Sequence, residues 1–247
     1  RGITVTNGAG VNAPSVADHA MALLLSLVRD IAQSDASVRR HEWRKVSRPS
    51  FAGKRLGILG LGAVGMAIAR RAQGFDMVIH YHSRSARTDV DFNYCATPLQ
   101  LAHDADFLVV ATPGGGSTRH LIDAAAIEAL GPEGFIVNIA RASVVDTEAL
   151  IDALQHGRLA GAALDVFDDE PQVPDALKTL NNVVLTPHVA GTANETRAIA
   201  AKHPMPTPSR NPKMAMITKI SQTTMASPSE TRRTTLIAHS HKNLTPK

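Results

Sequence analysis

Residues 55–84 constrain this chain more than any other stretch. Leu56, Ile58 and Leu59 form a short apolar run suited to a buried parallel strand, and residues 64–72 are an Ala-rich helical stretch that packs back on it. Between them lies Gly60-Leu61-Gly62-Ala63-Val64-Gly65. Gly60 permits the tight turn, Gly62 lets backbone approach a pyrophosphate, and Gly65 lets the helix sit close to its strand. The helix N-terminus, at Ala63 and Val64, faces the phosphate charge. Residues 77–81 supply a second apolar strand at the spacing a βαβ unit needs. The turn is therefore read as a dinucleotide cradle.

What ends that second strand bears on the nucleotide. A site for NAD places an acid about 20 residues past the glycines, on the ribose 2′-hydroxyl. Here the chain has His82-Ser83-Arg84-Ser85-Ala86-Arg87. Ser83 can donate to a 2′-phosphate and Arg84 or Arg87 can pair with it, which favours NADP(H) over NAD(H). The alternative is that these are solvated loop arginines.

Along the chain, residues 3–6 read as a strand and residues 7–10 as a turn. Ser15 as N-cap, with Asp18 three residues on, opens a helix to about Ile31. That helix is apolar on several sides, so it is expected to be buried between domains or subunits. Trp43 and Phe51 sit in a basic connecting segment. After the glycine unit come a short helix at 99–103, a strand at 107–111 ending at Thr112-Pro113, and a flexible Gly114-Gly115-Gly116-Ser117 loop. A helix at 123–130, a strand at 134–139, a helix at 146–156 and strands at 160–167 and 183–186 follow. This alternation indicates an α/β fold with a doubly wound parallel sheet of Rossmann type.

Composition divides the chain. Of its 247 residues, 202–247 hold eight of the 26 Lys/Arg, one of the 22 Asp/Glu, six Pro, thirteen Ser/Thr and no aromatic. The remaining 18 basic and 21 acidic side chains leave residues 1–201 at −3, so the overall +4 belongs to the tail. The body gives no electrostatic reason to expect nucleic-acid binding, and the tail is expected to be disordered for want of apolar residues. The single Cys95 excludes an internal disulfide and points to a cytoplasmic setting, and no C-x-x-C or H-E-x-x-H pattern offers a metal site. The longest apolar run, residues 20–28, is far short of the ~20 residues a membrane span needs, and the opening residues do not read as a charged-then-apolar leader. It starts at Arg1 rather than Met, as a fragment would.

Chemistry-bearing side chains follow successive strands: Arg141 after Val137-Asn-Ile-Ala140, Glu170 after Leu164-Asp-Val-Phe167, and His188 after Leu185-Thr-Pro187. A guanidinium can hold a carboxylate, an imidazole titrates near neutrality, and a carboxylate beside it can orient it and keep it protonated.

Four motifs in order, Gly57-Ile-Leu-Gly-Leu-Gly-Ala-Val-Gly65, Asn138-Ile-Ala-Arg-Ala-Ser-Val-Val-Asp146, Ala163-Leu-Asp-Val-Phe-Asp-Asp-Glu-Pro171 and Thr186-Pro-His-Val-Ala-Gly-Thr192, resemble the D-isomer-specific 2-hydroxyacid dehydrogenases. Asn12-Ala-Pro-Ser-Val-Ala-Asp-His19 and the His-Ser-Arg element are similar to the NADP-preferring hydroxypyruvate/glyoxylate and 2-ketogluconate reductase branch. The resemblance covers about residues 1–201. It implies an oxidoreductase passing a hydride from NADP, or NAD, to a small 2-oxo acid, giving a D-2-hydroxy acid, and working as a homodimer. It implies Arg141 as the substrate-carboxylate residue, His188 as proton donor, Glu170 as its paired acid and Asp165 as the aspartate near the nicotinamide amide. Thr112, Pro113, Ile139 and Gly191 match cofactor contacts, and Ala142 replaces the family's glycine. Family members begin with a substrate-domain segment of which this chain carries only the end. From Lys202 the sequence departs from the family, as a reading-frame change or an unspliced segment would make it. The rival expectation is a catalytically inactive nucleotide-binding or interaction module.

Overall fold

A computed structural model describes residues 10–196, and these build one seven-stranded, wholly parallel sheet. Helices α1 (Ala13–Val28) and α2 (Ile31–Arg39) precede β1 (Arg55–Leu59), α3 (Ala63–Gln73), β2 (Val78–His82) and β3 (Asn93–Tyr94). Then come α4 (Pro98–His103), β4 (Phe107–Val110), α5 (Ala124–Leu130), β5 (Phe135–Asn138), α6 (Thr147–Gln155), β6 (Gly161–Leu164), α7 (Asp175–Thr179) and β7 (Val183–Leu185). The order across the sheet is β3-β2-β1-β4-β5-β6-β7. The chain thus winds outward from β1, returns to β4 on its other side, and winds away again. Between β1 and β4 the connections diverge, which is where an open sheet of this kind leaves a ligand crevice.

The register makes that edge useful. His82 pairs with Leu59, Leu59 with Val110, Val110 with Asn138, Asn138 with Leu164, and Leu164 with Leu185. One row of residues therefore ends six strands together, and whatever follows each strand emerges at the same edge.

Alternation along the strands sorts side chains into two layers. Phe107, Val109, Val137 and Ala163 face one side, under α1 and α3, while Leu108, Val110, Ile136 and Ala162 face the other, under α4, α5 and α6. Phe51 is buried and lies 5.3 Å, centroid to centroid, from Phe107, tying the basic connector to the first layer, whereas Trp43 is exposed.

Helix α1 departs from the sequence expectation at both ends. It begins at Ala13 with Pro14 in its first turn, where a missing N–H costs nothing, and Asn12 precedes it without a side-chain cap. Ser15, expected to be the cap, lies inside the helix and donates instead to the Ala190 carbonyl at 2.7 Å. Asp18 receives Arg71 Nε at 2.6 Å rather than closing a capping box. The helix stops at Val28, with Asp30 in the left-handed region at φ 57°. Its apolar sides are covered within this domain: Ala17, Ala20, Leu24 and Val28 are fully buried in the layer shared with α3 and the sheet. The polar α2, the two-residue β3 and the five-residue α7 were not anticipated, because each is too short or too polar to carry a periodic signal. The strand expected at 3–6, most of the turn at 7–10 and the tail at 202–247 lie outside the described residues. Among the described residues no helix is long and apolar enough to cross a membrane.

Candidate active site

The glycine turn sits at the divergence point. Gly60, at φ 100°, is in a region that favours glycine, and a side chain there would strike the Thr112 backbone at 2.8 Å. A Cβ on Gly65 would lie 2.1 Å from the Gly60 carbonyl oxygen, so α3 can approach its strand only with glycine at this position. A Cβ on Gly62 would meet nothing within 4 Å; its backbone faces open space, and Ala63 and Val64 start α3 just beyond it. The turn fits a pyrophosphate seated on the helix N-terminus. Thr112 and Pro113 follow β4 directly across from the turn, and Ile139 follows β5, largely buried.

The two arginines after β2 separate. Arg84 is exposed and makes no ion pair among the described residues. Arg87 is already engaged: it donates from Nη1 to the Leu61 carbonyl at 2.8 Å and from Nε to Asp89 at 2.8 Å. Arg87 thus braces the glycine turn through Leu61, while Arg84 has no ion-pair partner among the described residues. Ser83 donates to Ser85 O at 2.7 Å, which holds the turn that presents Arg84.

Arg141, Glu170 and His188 line one open cleft of about 660 Å³ with Ala142, Phe167 and Asp168. Arg141 is aimed by Asn138, a buried polar residue at the end of an apolar strand. The Asn138 amide accepts from Ala140 N and donates to Arg141 O, both at 3.0 Å, and so fixes the sharp turn after β5. Gly114 lies against the Arg141 side chain, where a Cβ would come within 2.6 Å of Cγ. The Gly114 loop, read as merely flexible, thus forms one wall for the arginine. Ala142 opens a short 3-10 turn.

His188 Nδ1 lies 2.8 and 3.0 Å from the two Glu170 carboxylate oxygens. Glu170 Oε1 also accepts the Phe167 amide at 3.1 Å. The His188 hydrogen bond, then the Phe167 N–H, with a smaller contribution from Arg141, holds the Glu170 carboxyl below the usual carboxylate range. With Nδ1 committed to Glu170, Nε2 is the nitrogen left for a ligand. The His188 backbone is in the left-handed region at φ 52°, its N–H bonded to Thr186 O at 3.0 Å. Such a conformation in a non-glycine residue costs on the order of 1–3 kcal/mol and persists only where the surroundings impose it.

Asp165 is what imposes it. It is fully buried, and its Oδ1 accepts from the Thr186 hydroxyl at 2.6 Å and the Val189 N–H at 3.0 Å, while Oδ2 accepts from the Ala190 N–H at 3.0 Å. His19 Nε2 approaches the same carboxylate at 3.3 Å and the Thr186 hydroxyl at 3.0 Å. This aspartate, the one the resemblance sets near the nicotinamide amide, is also the buried anchor of the His188 loop. Three of its hydrogen bonds come from that loop. Gly191 closes the loop against Asn12, with its Cβ position 3.3 Å from Asn12 Nδ2. Asn138, Thr186, His19 and Ser15 were missed as supporting residues; a lone Asn in Phe135–Asn138 and a lone Asp after Leu164 were the available signals.

Residues 21–190 match the family described as D-isomer specific 2-hydroxyacid dehydrogenase, NAD binding domain. Among curated proteins, glyoxylate/hydroxypyruvate reductase A of Arabidopsis thaliana is 46% identical over 200 residues, covering 80% of this chain and 64% of that protein. Glyoxylate reductase of Pyrococcus furiosus is 41% identical, over 82% of this chain and 64% of its own length. A crystal structure of the NADPH-dependent glyoxylate/hydroxypyruvate reductase of Sinorhizobium meliloti, in complex with NADP and malonate, superposes with a TM-score of 0.76 at 43% identity, over 79% of this chain and 63% of that one. The chain therefore spans a little under two thirds of the length of these relatives. With the glycine turn, the strand-end row and the match all falling on the same residues, the chain belongs to the D-isomer specific 2-hydroxyacid dehydrogenase family.

Proposed function

We propose that this chain belongs to an NADPH-preferring reductase of small 2-oxo acids of the glyoxylate/hydroxypyruvate type, yielding D-2-hydroxy acids. The observation that carries this reading is the convergence of Arg141 and His188 on one cleft, with Glu170 holding Nδ1 of the imidazole. Bound nicotinamide dinucleotide supplies the hydride. The chain's own residues do the rest. Arg141 binds the substrate carboxylate and stabilises charge developing on the carbonyl oxygen, a paired, charge-assisted contact. His188 gives that oxygen a proton from Nε2, and Glu170 keeps the ring oriented while the proton leaves. The Asp165 anchor fixes where the ring stands.

Preference for NADPH rests on Arg84 and Ser83 following β2 with no acid at the equivalent place. The names of the relatives, and NADP in the Sinorhizobium meliloti complex, favour the same choice. We extend the proposal to a homodimeric whole protein.

The test is to mix the purified chain with NADPH and either glyoxylate or hydroxypyruvate and follow NADPH oxidation. Turnover that falls ~10²- to 10⁴-fold in His188→Ala supports the proposal. NADPH binding without turnover would make the chain a nucleotide-binding module rather than a complete catalyst.

A further inference from the structure

Three side chains that the cleft does not use converge near the β3 edge of the sheet. His80 lies on β2, Cys95 directly follows β3, and Asp104 follows α4. One ring nitrogen of His80, the Cys95 sulfur and an Asp104 carboxylate oxygen all lie within 4.8 Å of one another. No local sequence motif joins them; the β2-β3-α4 connection brings them together.

Their polar atoms are poorly served as they stand. His80 Nδ1 is enclosed and has no hydrogen-bond partner among the described residues, and its Nε2 has only the Asn93 amide nitrogen at 3.5 Å. A buried polar atom left unpaired costs ~1–3 kcal/mol. Cys95 is 1% exposed, and its sulfur reaches Asp104 Oδ2 only at a long 3.9 Å. Burial first, and the Asp104 charge second, push the thiol up to about 11. Asp104 Oδ1 is held by His103 Nδ1 at 2.9 Å, which turns Oδ2 toward the cysteine. The neighbouring Arg55 and Asp106 neutralise one another, with Nη2 3.0 Å from Oδ1.

Nitrogen, sulfur and oxygen donors at this separation match a borderline-soft divalent cation. Zinc takes these three donor types tetrahedrally, with a water as fourth ligand. Bond lengths of ~2.0 to 2.3 Å would need the donor atoms to close by about 1 Å, within reach of side-chain rotation. Binding would form a metal–sulfur bond and send the thiol proton to solvent. One thiolate and one carboxylate then balance the two positive charges, leaving an electroneutral assembly in a half-buried corner. His103 would serve as the outer partner that orients the carboxylate.

We propose that His80, Cys95 and Asp104 form a binding site for one divalent zinc-like cation, clamping β3 and α4 to β2 beside the segment that carries Ser83 and Arg84. The metal-stripped, untagged full chain is titrated with Co²⁺ as the spectroscopic probe and Zn²⁺ as competitor. The chain has one cysteine, so a thiolate-to-cobalt charge-transfer band can arise only from Cys95. The expected result is such a band saturating at one Co²⁺ per chain, displaced by Zn²⁺, and lost in Cys95→Ser and His80→Gln. About one proton should be released per metal bound by the unmutated chain in weak buffer. Cobalt binding to the folded, unmutated chain without a thiolate band would overturn the proposal, whatever the variants do. So would a band that survives unchanged in His80→Gln.

Discussion

Thr186 donates its hydroxyl to the buried Asp165 carboxylate at 2.6 Å, two residues before the histidine that faces the cleft. With the Val189 and Ala190 amides on the same carboxylate, three donors converge on one side chain and hold His188 in a left-handed conformation. Asp165→Asn keeps the shape but sets an amide N–H₂ against at least one of those donors. We expect it to lower unfolding free energy by about 1–3 kcal/mol, read as a shift in the urea midpoint at constant m-value. An unmoved midpoint would mean the loop stands without this anchor.

The Glu170 carboxyl titrates below its usual range because His188 and the Phe167 N–H bond the charged form. A folded value depressed below the unfolded one contributes stability that is present above the unfolded carboxylate value of ~4.3 and is lost as pH falls through the lower folded value. Thermal transitions measured from pH 6 down to pH 3 should therefore drop more steeply in the unmutated chain than in Glu170→Gln. Parallel curves would count against the pair. The effect should be small, since both side chains are over a third exposed.

Arg84→Ala should weaken NADPH binding and leave NADH binding nearly unchanged, and Arg84→Asp should favour NADH. Arg87→Ala should weaken both, because that guanidinium supports the Leu61 carbonyl in the turn shared by either nucleotide. Fluorescence titrations with the two cofactors separate these outcomes, and an identical response of both arginine variants would refute the division of labour.

Gly65→Ala places a methyl 2.1 Å from the Gly60 oxygen, a contact that only backbone movement relieves. Overpacking of this kind costs about 1–3 kcal/mol, and here the displaced atoms form the nucleotide turn itself. Denaturant titration should show the loss, with NADPH affinity falling further than stability alone requires. Retained affinity would show that α3 can shift without disturbing the turn.

In metal-free protein the Cys95 thiol, pushed up to about 11, should resist iodoacetamide at pH 8 and react fully in urea. A raised folded value gives stability that is complete below the unfolded thiol value of ~8.5 and is lost as pH rises through about 11. Cys95→Ala should flatten that alkaline limb in a pH series of melts. Fast alkylation of the folded chain would place the sulfur in solvent.

Much of this architecture was legible because it repeats. Short apolar runs became strands, as at Phe107–Val110, and Ala- or Leu-rich segments after turns became helices, as at Thr147–Gln155. Arg141, Glu170 and His188 were legible because each follows such a run, and the common register then brings their segments to one edge. What sequence could not reach was partnership across distance. Ser15 looked like a cap because its neighbours were helical, yet the hydroxyl meets Ala190. Asp165 was legible as a residue at a strand end, but its anchoring of backbone and hydroxyl donors more than twenty residues away was not. Arg84 and Arg87 read alike in sequence, and only the fold shows that Arg87 bonds Leu61 and Asp89.

The bond from Ser15 to Ala190 spans 175 positions. Loops of that length close late, because the chain between must already be compact before its ends meet often enough to bind. Residues within one strand–helix–strand repeat can settle first, and the nucleotide turn belongs to such a repeat. The loop bearing His188 does not. Its support from Ser15 and His19 arrives only when the first helix has found a place on a sheet whose last strands are formed. A folding chain would hold the cradle for its cofactor before it held the geometry for proton transfer, and pulse-labelling exchange should find the amides of Val189 and Ala190 protected after those of β1.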